Sequence, residues 1–235
     1  MNAFHFELSE TAGQSVLARN TGASGRSPTV RSSPVEPSHP PLSAWAPLTV
    51  AEVVSVFHHA PFRWWINGGH ALELHLERSW RDHGDIDVGV LGSDARLLHD
   101  SLTDWDLWIA NNGMVTPWTG TRRNESRSEN SLWACRPEDL HWAFDISLES
   151  GDTTEWRYRR DDSIRRPWDQ AILQTTDGIP YISPELQLLF KSKEPREKDH
   201  QDAVEVIPVL NQEQTRFLAD NLGDGHPWRA HLRMP

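Results

Sequence analysis

The sequence predicts an α+β chain in which strands and a few helices alternate through the middle and helices take over at the C-terminal end. Three observations support this. Apolar residues recur every second position in "DIDVGVL" and "LHWAFDISLES", the period of a strand with one buried face. Turn pairs such as Asn112-Gly113 separate several other strand-like runs. From Ser183 onward the apolar spacing changes to that of helices.

The elements follow in order. Residues 1–46, rich in Ser, Pro and Gly between 20 and 46, bury too little apolar surface to offset ordering and are expected to form a flexible tail. Order is expected from residue 47, with a core at 47–182 and a helical part at 183–235. Thr49 is placed to cap a helix carrying Val50, Val53, Val54 and Phe57. "RWWIN" reads as a short strand running into Gly68-Gly69, followed by an amphipathic helix with Ala71, Leu72, Leu74 and Leu76 on one face. "DIDVGVL" is the next strand. "DLWIANNGMVTPW" is a hairpin, "TRRNESRSEN" a polar loop, and "SLWAC", "LHWAFDISLE" and "TEWRYRR" are strands, the last after a turn at Ser150-Gly151-Asp152. "QAILQT" and "PYIS" flank a turn at Thr176-Asp177-Gly178. Ser183 and Pro184 open a helix over "ELQLLFKSK", Pro195 ends it, and "REKDHQDAVEVIPVL" and "NQEQTRFLADNLG" supply two more, with Pro208 loosening the end of the first.

Composition narrows the classes of function. Lys+Arg total 23 against Asp+Glu 34, a formal charge of -11, which disfavours a protein that grips duplex nucleic acid through phosphates. The single cysteine, Cys135, excludes an internal disulfide and fits a reducing, cytoplasmic setting. No apolar run approaches the roughly 20 residues of a membrane span. Twelve tryptophans are expected mainly in the core and in pocket walls.

The chemistry concentrates in two strands. Strand periodicity sets Asp85 and Asp87 on one face, with Ile86, Val88 and Val90 on the other. Two adjacent anions repel unless a cation lies between them, and hard oxygen ligands select Mg²⁺ or Mn²⁺. An exposed edge strand would also tolerate two acids. "LHWAFDISLES" repeats the pattern, however, offering Asp145 to the polar face of another apolar strand. If the two strands are neighbours, Asp85, Asp87 and Asp145 converge on a two-metal site. Gly68 and Gly69, between strand and helix, would let backbone N–H groups approach a phosphate at the helix N-terminus. Arg78, Arg81 and His83, just upstream of the aspartates, are candidates to steady phosphates or orient carboxylates. Arg81 is also spaced for a surface ion pair with Glu77.

"INGGHALELHLERSWRDHGDIDVGV" resembles the DNA polymerase beta-like nucleotidyltransferase superfamily: an apolar residue, Gly-Gly, a helix, D-x-D, and a later lone acid on a neighbouring strand. Arg81, His83, Asp85, Ile86 and Asp87 match most closely the aminoglycoside adenylyltransferase branch. "ISPELQLLFKSKEPREKDHQDAVEVI" is similar to that branch's helical segment, with Lys191 and a K-D-x-x-D element at Lys198, Asp199 and Asp202. The resemblance spans about residues 50–210. The interval from Gly69 to Asp85 is slightly longer than the branch's usual one, which predicts a reshaped turn before the strand.

The resemblance implies a nucleotidyltransferase fold, a mixed sheet flanked by helices with a small helical C-terminal part closing a cleft. It implies metal-dependent attack of an acceptor hydroxyl on the α-phosphate of a nucleoside triphosphate, ATP being the first expectation, with two Mg²⁺ ions (or Mn²⁺) held by Asp85, Asp87 and Asp145. Gly68, Gly69, Arg78, Arg81, His83, Lys191 and Lys198 would then bind the nucleotide, with Lys191 the first candidate for the triphosphate. Asp199 and Asp202 share a helix face and could orient Lys198 or anchor the interface between the two parts. The expected partner is a small hydroxyl-bearing acceptor such as an aminoglycoside. Three alternatives remain at this point: a toxin-type transferase acting on protein or tRNA, a D-x-D glycosyltransferase, and a non-catalytic nucleotide-binding or regulatory protein, which the presence of all three carboxylates disfavours.

Overall fold

A computed structural model of the chain describes residues 39–120 and 131–232. The polar stretch at 121–130 and most of the expected tail lie outside the described residues. Pairing begins ahead of residue 47: Trp45 bridges Trp142, and Ala44, Ala46 and Leu48 exchange backbone hydrogen bonds with Trp142 and Ala143.

Helix α1 (Val50–Phe57) starts at Thr49, whose hydroxyl accepts from the Glu52 N–H while the Glu52 carboxylate accepts from Thr49 N, closing both ends of a capping box. Strand β1 (Trp64–Ile66) leads to α2 (Gly68–Leu76), whose first turn contains both glycines, with Asn67 at the N-cap. The helix therefore begins at the glycine pair instead of after it. It ends at Glu77 in the left-handed region (φ 52°), and residues 77–86 run without helix or strand to β2 (Asp87–Leu91). Asp85 accordingly lies just ahead of the strand and not on it, a correction to the expected span.

Helix α3 (Ala95–Ser101) precedes the hairpin β3 (Asp106–Asn111) and β4 (Met114–Pro117). Its turn has Asn112 at φ 50° and Gly113 at φ 74°, the two positive φ values that a tight two-residue hairpin requires. Strands β5 (Ser131–Cys135) and β6 (Phe144–Gly151) follow. β6 starts later than expected and runs through Ser150 and Gly151, where a turn was expected. β7 (Glu155–Tyr158) pairs with a strand not foreseen from sequence, β8 (Asp161–Pro167). The expected strand "QAILQT" is split into a short helix, α4 (Trp168–Ala171), and β9 (Ile172–Gln174), which pairs with β10 (Pro180–Ile182). The C-terminal part contains α5 (Pro184–Lys191), α6 (Glu197–Val206) and α7 (Gln212–Asn221), with Pro208 in a 3-10 turn after α6.

The sheet order is β4-β3-β5-β6-β2-β1-β10-β9, and β7 and β8 extend from β6. It is mixed: β2 runs parallel to β6 and β1 parallel to β10, while the other pairs are antiparallel. The alternation in β2 and β6 sends Val88, Val90, Phe144, Ile146 and Leu148 into the core. Each fully buried side chain of that kind contributes about 1.5–3 kcal/mol. Phe144 meets Phe57 of α1 and Trp105 edge to face. Seven of the tryptophans, at 65, 108, 118, 142, 156, 168 and 228, are buried, as is Cys135. Helices α5 and α6 pack on α2, and α7 on α5. Among the described residues no helix is long and apolar enough to cross a membrane.

Candidate active site

The polar positions of β2 and β6 share one face. Asp87 lies directly opposite Asp145 in the parallel register, and Leu91 opposite Glu149. Burial, and then each other's charge or that of Asp85, holds the Asp87 and Asp145 carboxyls above the usual range. Asp145 is further oriented from β5: Ser131 Oγ donates to its carboxylate at 2.9 and 3.0 Å, and Trp133 Nε1 at 3.0 Å. Sequence reading passed over Ser131 and Trp133. The signal was their shared parity on "SLWAC", which becomes meaningful only once the register Trp133↔Asp145 is known.

Two carboxylates side by side in the register, with the charge of Asp85 acting on both, offer an all-oxygen donor set of the kind that fits Mg²⁺ or Mn²⁺. The carboxylate oxygens of Asp145 keep lone pairs for an ion beyond those used by Ser131 and Trp133.

Asp87 opens onto a cleft of about 480 Å³ between the sheet and the α5–α6 region. Although the chain is strongly acidic, this cleft is lined by Arg159, Arg160, Lys191, Lys193 and Arg196 together with the acids Asp87, Glu149, Glu194 and Asp199. Its local balance is thus less negative than that of the chain as a whole, and a pocket's own charges, not the net charge, decide whether it receives a polyanion. Lys191 is gripped from behind, with Nζ 2.8 Å from Asp199 and 3.0 Å from Asp202. Lys198 acts on Asp87 through its charge, as Lys191 does.

The two glycines have different tasks. Gly68 lines the cleft with φ 71°, its N–H donating to Gln187 Oε1 at 2.9 Å, and a Cβ there would run into the Asp87 carboxylate. Gly69 faces the other way, where a Cβ would collide with His83 and Arg81. The pair thus permits close approach on both sides of the helix start.

Arg78, Arg81 and His83 do not line the cleft. Arg78 pairs with Glu205 at the surface. Arg81 reaches past Glu77 to the fully buried Asp202, donating at 2.7 and 2.9 Å, and Trp80 Nε1 joins it at 3.1 Å. Asp202 therefore binds the segment before β2 to Lys191 and α6, while Asp199 takes Lys191 and Arg196. Burial alone would raise Asp199 and Asp202, but the hydrogen bonds and positive charges around them prevail and hold both below the ordinary carboxylate range.

His70, Glu73 and His83 also converge. Arg81 Nη1 stands 3.1 Å from His83 Nδ1, and His83 Nε2 is 3.0 Å from Glu73 Oε1. A guanidinium only donates, so the Nδ1 that faces Arg81 is not free to donate as the second nitrogen of a metal-bound imidazole does. These residues form a chain of polar contacts that braces the segment before β2, with His70 stacked on His83.

A family model described as aminoglycoside-2''-adenylyltransferase matches residues 49–206. No curated protein matches. Among solved structures, the chain is similar to the lincosamide antibiotic adenylyltransferase LnuA bound to lincomycin, at 18% identity over 70% of this chain and 100% of that one, with a TM-score of 0.48. ANT(2")-Ia in complex with adenylyl-2"-tobramycin is 14% identical over 77% of this chain and 93% of its own, TM-score 0.38. An antigenic nucleotidyltransferase-like protein from Paracoccidioides brasiliensis is 19% identical over 80% and 94%, TM-score 0.40.

Proposed function

The chain belongs to the aminoglycoside-2''-adenylyltransferase family and is a nucleotidyltransferase, and on that premise we propose that it moves the nucleoside monophosphate of ATP onto a hydroxyl of an aminoglycoside-type acceptor in the cytoplasm, releasing pyrophosphate. The observation that carries this reading is Asp87 set against Asp145 at the edge of a cation-lined cleft.

Asp87 and Asp145, with Asp85 beside them, would hold the divalent metal. When bound, such a metal neutralises charge on the attacking and leaving oxygens and lowers the pKa of a hydroxyl. Lys191, Lys193, Arg159 and Arg196 supply the positive wall for the triphosphate. Lys191 is held in place by Asp199 and Asp202, so its charge is pre-oriented and little reorganisation is needed. Lys198 adds to the field at Asp87, while Arg81 and His83 act indirectly by fixing the segment that delivers Asp85 and Asp87. In the transfer the acceptor oxygen bonds to the α-phosphorus as the bond to the bridging oxygen breaks. The acceptor proton moves toward the Asp145 carboxylate, which Ser131 and Trp133 hold in position.

The test is to incubate the purified chain with Mg²⁺, each of the four nucleoside triphosphates, and panels of aminoglycosides and lincosamides, and read acceptor masses. Gain of one adenylyl group on an aminoglycoside is the expected result. No adduct on any compound, with pyrophosphate released only when cell extract is added, would replace the small-molecule acceptor by a macromolecular one.

A further inference from the structure

The stretch ahead of α1, expected from sequence to belong to a flexible tail, is strapped onto the residues that lead into β6. Trp142 N donates to Ala44 O at 2.8 Å, Ala46 N donates to Trp142 O at 3.0 Å, and Leu48 N donates to Ala143 O at 2.9 Å. Side chains tie the strap as well: Trp142 Nε1 donates to Pro41 O at 3.0 Å, and His39 stacks on the Trp142 ring. Residues 39–48 are thus fixed three positions before Asp145.

Trp45 lies in the middle of this strap, half-buried against an aromatic cluster apart from the main core. Trp108, Cys135 and Trp142 form the buried part of that cluster, with Val115 and Trp133 packed on it. Trp45 meets the Trp133 ring edge to face, 5.1 Å between centroids, and Trp142 meets the same ring at 5.3 Å. Trp133 is the indole whose Nε1 donates to Asp145. An indole has one N–H, aimed along the ring plane, so the bond to Asp145 lasts only while that plane is held. Edge-to-face contacts hold a ring plane because they favour one orientation over others. Trp142 is fully buried and supplies one such contact, and Trp45 supplies another from outside the sheet.

Resting on the adenylyl-transfer reading, we propose that Trp45 is a positioning residue for the reaction. Seated on Trp133, it keeps that indole aimed at Asp145, and so keeps the carboxylate turned to receive the acceptor proton. The strap then belongs to the scaffold of the site although none of its residues lines the cleft. A Trp45 that only covers apolar surface would affect stability and leave the Trp133 bond as it is.

The first reading needs neither metal nor substrate. In the full chain with isotope-labelled tryptophan, the Trp133 indole N–H resonance is assigned by its loss in Trp133→Phe. Hydrogen exchange at that N–H should be at least about tenfold faster in Trp45→Ala than in the wild type, and within about threefold of it in Trp45→Phe, which keeps a ring against Trp133. The second reading is kinetic. Trp45→Ala should lower kcat roughly tenfold, the lower end of the loss when a partner orienting a functional carboxylate is removed, with Trp45→Phe recovering most of it. KM for ATP should stay within about twofold, since the triphosphate contacts are untouched. In a Trp133→Phe background, Trp45→Ala should cost no further kcat, because the bond through which it acts is already gone. If Trp45→Ala does not fold, Trp45→Leu replaces it in each comparison. A Trp45 variant with a lowered Tm but unchanged exchange at Trp133 would overturn the proposal. So would a fall in kcat that adds in full to that of Trp133→Phe. If the wild type transfers to no acceptor, the proposed reaction falls, and the coupling of Trp45 to Trp133 stands or falls on the exchange rates alone.

Discussion

Asp87 and Asp145 face each other across the parallel pair β2 and β6, in the middle of the sheet. That contact is unfavourable without a cation, because burial and like charge both disfavour two ionised carboxylates there. Asp87→Asn or Asp145→Asn should therefore leave the metal-free protein at least as stable as the wild type. The same changes should abolish the rise in Tm on adding Mg²⁺ and lower transfer by at least about a hundredfold. Melting curves with and without Mg²⁺, alongside adenylylation rates, check this. A variant that loses activity but keeps the full Mg²⁺ response would place the ion elsewhere.

Asp202 has the opposite character. It is fully buried and satisfied by Arg81, Trp80 and Lys191. Asp202→Asn leaves Lys191 its Asp199 partner but strands the Arg81 guanidinium in a nearly closed space, and we expect a loss on the order of 3 kcal/mol in urea unfolding. Adding Arg81→Met to Asp202→Asn should recover part of it, because the stranded charge goes too. The sign with pH follows from the lowered carboxyls of Asp199 and Asp202. Their stabilisation is present above the unfolded value near 4 and is lost as pH falls below it. A wild-type Tm that does not fall more steeply below pH 4 than that of Asp202→Asn would refute the assignment.

What could be read from the chain and what could not divides along sequence distance. Thr49 with Glu52, the Asn112-Gly113 turn and the alternation in β2 and β6 are local signals, and each element formed for the local reason. The convergence of Asp87 and Asp145 was legible because both strands carried the same period. β8 was not, since "DDSIRRP" has Ile164 as its sole large aliphatic residue and is paired through polar rungs such as Arg157 opposite Arg165. The role of Gly69 was hidden for a related reason: its neighbours, Arg81 and His83, lie a loop away. Arg81 and Asp202 are 121 positions apart, so nothing near Arg81 could distinguish a phosphate ligand from one half of a buried ion pair. The same holds for Asn67 and Glu149, 82 positions apart.

Glu149 should leave a mark on stability that needs no substrate. Its carboxyl is raised by burial from 4.5 to about 7, so between those values the folded protein binds a proton that the unfolded chain has released. Stability then falls as pH rises through that window and levels off above it, by an amount on the order of 3 kcal/mol if the whole shift is expressed. Glu149→Gln carries no such proton. Its Tm should equal that of the wild type near pH 4.5 and exceed it by pH 7.5, with the gap opening between. Parallel Tm curves for the two proteins across pH 4.5–7.5 would mean that Glu149 is already ionised in the folded chain.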